Sequence, residues 1–378
     1  MRTEEAAQVD HHEVNRAGSR GVTPEPAAPV GRRTREVMLV SASVSPQLRN
    51  EASARARPRP EYLVLEGGHG VELLDWSHVV RRPVRRTSTG SLRQAATALL
   101  GSRGVAAFLS DGEHVGLPLA QALALHPRRP GHVVIAHHLT TPSKRRLLRL
   151  PGVAKAVDFF VVHSQAQVDA LVADAELAPE QVRLVPYGVD TDFWSADPVQ
   201  EDPLVVSPGR EHRDHVTLAS AMDGLDARAF VTDGSSHSPA ARRRVPAAWP
   251  ANVDRGSVGL GALRELYARA AVVVVPLVAT DFPAGVTVAV EAMAMGKAVV
   301  TSSTEGLRGA LADPGAVVTV PPGDVRAMRL AITSLLDDPE RRRRLGERAR
   351  SAAHEHHDVR HFAAALHRLM TEAAQIHG

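Results

Sequence analysis

The sequence predicts an α/β protein made of two successive doubly wound domains that face each other across a cleft. Three observations carry this expectation. Short apolar runs without polar alternation recur along the chain, the pattern of parallel strands buried on both faces. Helical segments separate those runs, as crossover connections require. The pattern also closes near Asp190, passes an acidic, proline-bearing stretch at 197–203, and restarts at Leu204.

Taken in order, residues 1–34 are polar, carry Gly and Pro and lack periodicity, so they read as a disordered tail. The N-terminal domain, 35–195, opens with a strand over 37–42. Another apolar run, 61–65, ends in the loop Gly67-Gly68-His69-Gly70. A helix over 92–100 leads to a strand over 105–109 and the polar residues 110–114. Helix 117–125, strand 133–136 ending in His137-His138, strand 155–162 and helix 165–173 follow. The C-terminal domain, 203–353, has strands over 204–207, 229–232, 271–276, 298–301 and 317–320. Its helices cover 216–222, 263–270, 286–295, 325–336 and 339–353. A last helix over 361–374, within 354–378, is placed to pack back on the N-terminal domain. Two open sheets joined by a linker locate a ligand in the cleft, at strand C-terminal ends.

Composition narrows the function classes. The 378 residues are 44% hydrophobic, enough for two cores. With no cysteine there is no disulfide, thiolate metal site or cysteine nucleophile. The first twenty residues lack an apolar leader, and the longest apolar run, 270–279, is about half a membrane span. A cytoplasmic protein without a transmembrane segment is expected. The formal charge is +3, and nearly every cation is arginine, the better bidentate clamp for phosphate; the lysines are Lys144, Lys155 and Lys297 alone. Aromatics at 3% argue against a nucleic-acid stacking platform.

The strongest chemical signal runs from Asp281 to Gly296. A buried strand ends at Pro276, a loop with Gly285 follows, and a helix begins. Amides of Gly285, Val286 and Thr287 would point from that helix N-terminus, where a phosphate is favoured. Glu291 lies about one and a half turns on, among Ala, Val and Met. A carboxylate on so apolar a helix needs donors, and vicinal ribose hydroxyls would serve, as would a partner arginine or plain exposure. A second signal is Pro208-Gly209-Arg210 with Arg213. The glycine permits a tight turn, and two arginines three apart converge on a diphosphate or form surface ion pairs.

Four motifs then arrive in fixed order: Val185-Pro-Tyr-Gly-Val-Asp190, Gly209-Arg210 with Thr217-Leu218, Leu266-Tyr267-Ala-Arg-Ala-Ala, and Glu291-Ala-Met-Ala-Met-Gly296. Together they resemble the retaining glycosyltransferases of family 4, which have the GT-B fold of two Rossmann-like domains. The resemblance covers about residues 160–350 well and the N-terminal half loosely. It implies a hexosyltransferase of the EC 2.4 class that takes a nucleotide-diphosphate sugar and retains anomeric configuration, with no required metal or other cofactor. Arg210 and Arg213 match the basic pair on the donor diphosphate, and Gly285, Val286 and Thr287 the amides nearby. Glu291 matches the ribose-binding carboxylate. His137 matches a cleft histidine near the transferred sugar, with His138 the alternative.

One departure stands out. The family's glutamate eight positions before the ribose-binding one is here Pro283, and Asp281 is the nearest acid. Asp281 is therefore expected to reach a donor-sugar hydroxyl. The acceptor, a small molecule, glycan or lipid-linked group, is expected against the N-terminal domain near Gly68, His69, Glu113 and His138. The basic stretch 144–150 reads as a solvated helix face that leaves room for weak peripheral membrane contact. A sugar-nucleotide epimerase of the same fold, or a non-catalytic sugar-nucleotide binder, remains the alternative.

Overall fold

The computed structural model describes residues 35–79, 88–126, 128–174, 177–197, 199–209, 211–232 and 245–377. The expected tail, residues 1–34, lies outside them, as does Arg210. Two six-stranded sheets, parallel at every pairing, organise the chain. The first holds β1 (Arg35–Leu39), β2 (Glu72–Leu74), β3 (Val105–Ser110), β4 (Gly131–Ile135), β5 (Phe159–Val162) and β6 (Val182–Leu184), in the order β2-β1-β3-β4-β5-β6. The second holds β7 (Leu204–Ser207), β8 (Arg228–Thr232), β9 (Val253–Gly256), β10 (Val272–Val275), β11 (Ala298–Ser302) and β12 (Val318–Val320), in the order β12-β11-β10-β7-β8-β9. Strand order reverses between β1 and β3 in one sheet and between β7 and β10 in the other. Such switch points open the crevices where α/β folds bind ligands.

Helices cover the sheets: α1 (Pro46–Ser53), α2 (Glu61–His69), α3 (Trp76–Val79), α4 (Ser88–Leu100), α5 (Glu113–Leu123), α6 (Pro142–Leu148) and α7 (Gln165–Asp174) in the first half. The second half has α8 (His215–Met222), α9 (Leu260–Arg269), α10 (Val286–Ala294), α11 (Val325–Leu336), α12 (Pro339–His356) and α13 (Val359–His377). Among the described residues no helix is long and apolar enough to cross a membrane.

The four-valine strand β10 explains why the apolar runs do not alternate. Val273 and Val275 pack into the cluster around α10, while Val272 and Val274 pack on the opposite face with Met328 and Ile332 of α11. Successive side chains point to opposite faces, and both faces are covered. In the first sheet Met38, Leu109, Val133 and Val161 pack with Phe362, Leu366 and Met370 of α13. The end of the chain thus completes the core of the N-terminal sheet.

Two readings are corrected by packing. The run 61–65 is not a strand but the first part of α2. Pro60 precedes that helix, Gly70 ends it in the left-handed region at φ +70°, and it packs against α13. The neighbouring strand is the three-residue β2, too short to stand out as a run. Likewise 155–162 divides: residues 154–156 form a 3₁₀ turn, and Asp158, which accepts the His132 amide at 2.7 Å, stands just before β5. The edge strand β9 gave no apolar signal, because only Val253 in it is buried.

Docking of α13 can be tested at Gly131, where an added Cβ would lie 2.5 Å from the Ala373 carbonyl carbon. Gly131→Ala should lower unfolding stability by about 1–3 kcal/mol, the usual cost of overpacking. A denaturant midpoint equal to wild type would show that α13 does not bear on β4 in this way.

Candidate functional site

The site grows from the switch point of the second sheet. After β7 the chain turns through Pro208 and Gly209, whose φ of +95° lies in the left-handed region. Arg213 folds back under this turn, its Nε donating to Pro208 O at 3.0 Å and its Nη1 to Glu211 O at 2.8 Å. A Cβ at Gly209 would overlap that guanidinium, so glycine is required there for conformation and for space. Arg213 is only 3% exposed, and burial pushes its pKa down to about 10. Nη2 makes no hydrogen bond to any described residue. Asp214 caps α8 by accepting from the Thr217 amide and hydroxyl.

Beside Arg213 lies Gly285, the N-cap of α10, at φ +82°. A Cβ here would come within 2.7 Å of Val275 and 3.4 Å of Arg213 Nη1. Val286 spends its amide on Pro283 O at 3.2 Å, so of the three amides expected to face a phosphate it is already engaged. Those of Gly285 and Thr287 have no backbone acceptor among the described residues. The Thr287 hydroxyl pairs with the phenol of Tyr187, which burial pushes up to about 12. Glu291 follows one turn later and accepts from Tyr267 Oη at 3.3 Å. Burial pushes Glu291 up to about 8, although the Tyr267 hydrogen bond and the Arg213 charge both pull the other way. Tyr267 is fully buried, with Trp194 edge-on at 5.5 Å.

Across the cleft, His137 stands exposed at the end of β4. Its amide and that of His138 donate to the two oxygens of Glu113, at 3.0 and 3.1 Å, and Lys144 Nζ donates to the same carboxylate at 2.6 Å. Glu113 is therefore not presented to an acceptor. It is a buried brace for the histidine turn, held near pKa 2 mainly by the opposing charges of His137 and Lys144 against desolvation. Gly68 and His69 are also displaced from their expected place. They end α2, and the His69 ring lies 4.4 Å from that of His367, which pairs with Glu36 at the start of β1. That is the N-terminal end of the strands, away from the C-terminal ends that face the cleft. What α2 brings to the cleft is its first residue, Glu61, about 12 Å away along the helix axis.

Asp281 is exposed, and its carboxylate reaches across to the first half rather than toward Gly285. Thr140 Oγ1 donates to it at 3.1 Å, and His138 Nε2 lies 3.5 Å away. Phe282 stacks on His138 at 4.6 Å, while Pro283 is buried. The loop thus leans on the histidine turn. Arg213, Gly285, Thr287 and Glu291 form one group, and His137, His138, Glu113 and Asp281 a second. Tyr187 and His163 connect them: the His163 ring is 5.3 Å from Tyr187 and 6.0 Å from His137. A cavity of about 190 Å³ touches Glu61, Tyr187, Thr287 and Glu291. Sequence reasoning missed Glu61 and His163 as site residues. Pro60 directly before an acid was the available signal for a helix start at Glu61.

Residues 256–352, which span α9 to α12, match the family model of glycosyl transferases group 1. This chain is a glycosyltransferase. It is 27% identical over 292 residues to the MMP alpha-(1->4)-mannosyltransferase of Mycolicibacterium hassiacum, covering 70% of each chain. Its GT-B fold is shared with sucrose-phosphate synthase from Thermosynechococcus elongatus at a TM-score of 0.68, with 17% identity over 89% of this chain and 98% of that one. Anabaena Alr3699/HepE in complex with UDP-glucose superposes at a TM-score of 0.62, with 16% identity over 90% of this chain and 99% of that one.

The perturbed acid of this glycosyltransferase makes a prediction about pH. Native Glu291 keeps its proton up to about pH 8, whereas an unfolded glutamate loses it near 4.5. Between these values the native state binds more protons than the unfolded one, so stability falls as pH rises. Glu291→Gln removes that loss. Denaturant unfolding should show the variant gaining on wild type from pH 5 to pH 8; a constant difference would contradict the burial of this acid.

Proposed function

We propose that this glycosyltransferase moves a hexose-type sugar from a nucleotide-diphosphate sugar to an acceptor hydroxyl with retention at the anomeric carbon. One observation carries the reading: a buried guanidinium whose Nη2 is unspent among the described residues stands beside the amides of Gly285 and Thr287, which are likewise unspent there. Breaking the anomeric C–O bond builds negative charge on the leaving diphosphate, and preorganised donors in a dry site stabilise such charge strongly. Arg213 and those amides are the donors, and in this reading no metal or other cofactor is required there. Glu291, ionised when donors surround it, accepts from the ribose hydroxyls. The UDP-glucose complex of the Anabaena protein and the mannosyl transfer named for the mycobacterial relative support a nucleotide-hexose donor.

His137, the exposed member of the second group at the end of β4, is assigned to the transferred sugar. Retention follows if the acceptor enters from the side on which the diphosphate leaves, with a leaving-group phosphate oxygen taking the acceptor proton. Asp281 is reassigned from the donor sugar to closure, because Thr140 and His138 already hold it. We assign the reaction to the cytoplasm.

UDP-glucose and GDP-mannose with simple glycoside acceptors test the reaction, the product read by the anomeric proton coupling. Retained configuration with nucleotide release is expected, and an inverted product or an epimerised donor would refute the proposal. Glu291→Gln should weaken the complementary UDP or GDP at least fivefold and its 2′,3′-dideoxy analogue much less, because only the former donates two hydroxyls. Equal losses would give Glu291 a structural role instead.

A further inference from the structure

The acceptor side of the cleft has a chemical character that the donor side lacks. Glu61 opens α2 and lines the cavity beside Tyr187 and Thr287. Its carboxyl takes a hydrogen bond only from its own backbone amide among the described residues, and it lies near both Asp111 and His137. Asp111 follows β3, at the switch point of the first sheet, and is held by the amide and hydroxyl of Ser41. Burial raises the pKa values of both acids; the Asp111 charge adds to the rise at Glu61, while the Ser41 hydrogen bonds and the charges of His114 and His137 pull against it at Asp111. Behind His137 stands His163, 2% exposed. Its Nδ1 pairs with Val185 O at 2.9 Å, so Nδ1 carries the hydrogen and Nε2 is an acceptor. That Nε2 is buried without a partner among the described residues. The His163 ring stands 6.0 Å from that of His137.

These groups accept hydrogen bonds, and the nearby cations are already committed. Arg59 is held by Asp190 and Asp192, Arg57 by Glu51, and Lys144 by Glu113. The N-terminus of α2 contributes about half a positive charge, which does not offset two carboxyls. Sugar hydroxyls donate to such a wall. A phosphate or carboxylate offers no hydrogen and adds like charge, which disfavours it in a site of this kind.

We propose that Glu61, Asp111 and His163 form an acceptor subsite around His137 that takes a neutral sugar by its hydroxyls and discriminates against phosphorylated or carboxylated acceptors. This rests on the glycosyl-transfer reading and names its acceptor class. With Glu61 and Asp111 as selectors, reversing one charge should relax the choice.

The test uses the full chain with whichever of UDP-glucose and GDP-mannose raises its melting temperature, which establishes donor binding independently of the acceptor. Methyl α-glucoside and methyl α-mannoside are compared with glucose 6-phosphate and mannose 6-phosphate by nucleotide release and by saturation-transfer NMR on the UDP- or GDP-bound protein. Neutral glycosides should be preferred more than about tenfold in kcat/KM or binding. Glu61→Lys, with the nucleotide-induced melting shift confirming its fold, should narrow that preference about tenfold; Glu61→Gln should narrow it less. If neither nucleotide sugar binds, the transfer reading fails first. If the donor binds and the 6-phosphates serve equally or better, or if Glu61→Lys leaves the ratio as in wild type, the subsite is wrong.

Discussion

A guanidinium buried beneath a glycine turn is the constraint on which the C-terminal half depends. Arg213 cannot sit where it does unless residue 209 lacks a Cβ and adopts φ +95°, and Gly285 must leave room on its other side. Its two carbonyl partners satisfy Nε and Nη1 but do not neutralise its charge. Glu291 is near enough to feel that charge, yet no ion pair joins them, and Tyr267 supplies its hydrogen bond instead. A cation and an acid are thus each held in low dielectric short of full compensation. Burying such groups costs stability, and an anionic ligand with donor hydroxyls would relieve both.

The second requirement is that two sheets be held as one body. The chain crosses between them twice at nearly the same place. Val189 N donates to His357 O and Val359 N to Val189 O, each at 2.8 Å. Gly188 allows Phe362 to pass, since a Cβ there would lie 2.6 Å from that of Phe362. Away from this crossing the halves touch through the Phe282–His138 stack and through polar contacts, Arg308 with Asp169 at 2.6 Å and Asp281 with Thr140. Apolar packing at the crossing with exposed polar contacts at the mouth suits a cleft that opens about the crossing, because exposed ion pairs are individually weak.

How much of this was legible in the sequence varied with the kind of signal. The valine runs of the second sheet were plain, because strands covered on both faces need no alternation. The loop before Glu291 was legible through its glycine, although Val286 proved to spend its amide on Pro283. Glu113 looked like an acceptor residue because it follows a strand, but only tertiary contact reveals two histidine amides and Lys144 closing on it. Gly68 and His69 were misplaced because a helix containing two glycines reads as a loop; α13, three hundred residues later, is what keeps α2 folded. Glu61 and His163 were invisible for the same reason, since their roles come from neighbours far away in the chain. Arg210 lies outside the described residues, and its assignment still rests on the motif.

The central claim is that Arg213 is buried for an anion rather than for the fold. Calorimetric titration of wild type and Arg213→Met with UDP and GDP tests it most directly, alongside denaturant unfolding. Methionine fills similar space without charge. The account predicts a folded variant whose nucleoside-diphosphate affinity drops about tenfold or more, the worth of a charge-assisted hydrogen bond. A folded variant that binds both nucleotides as wild type does would contradict it.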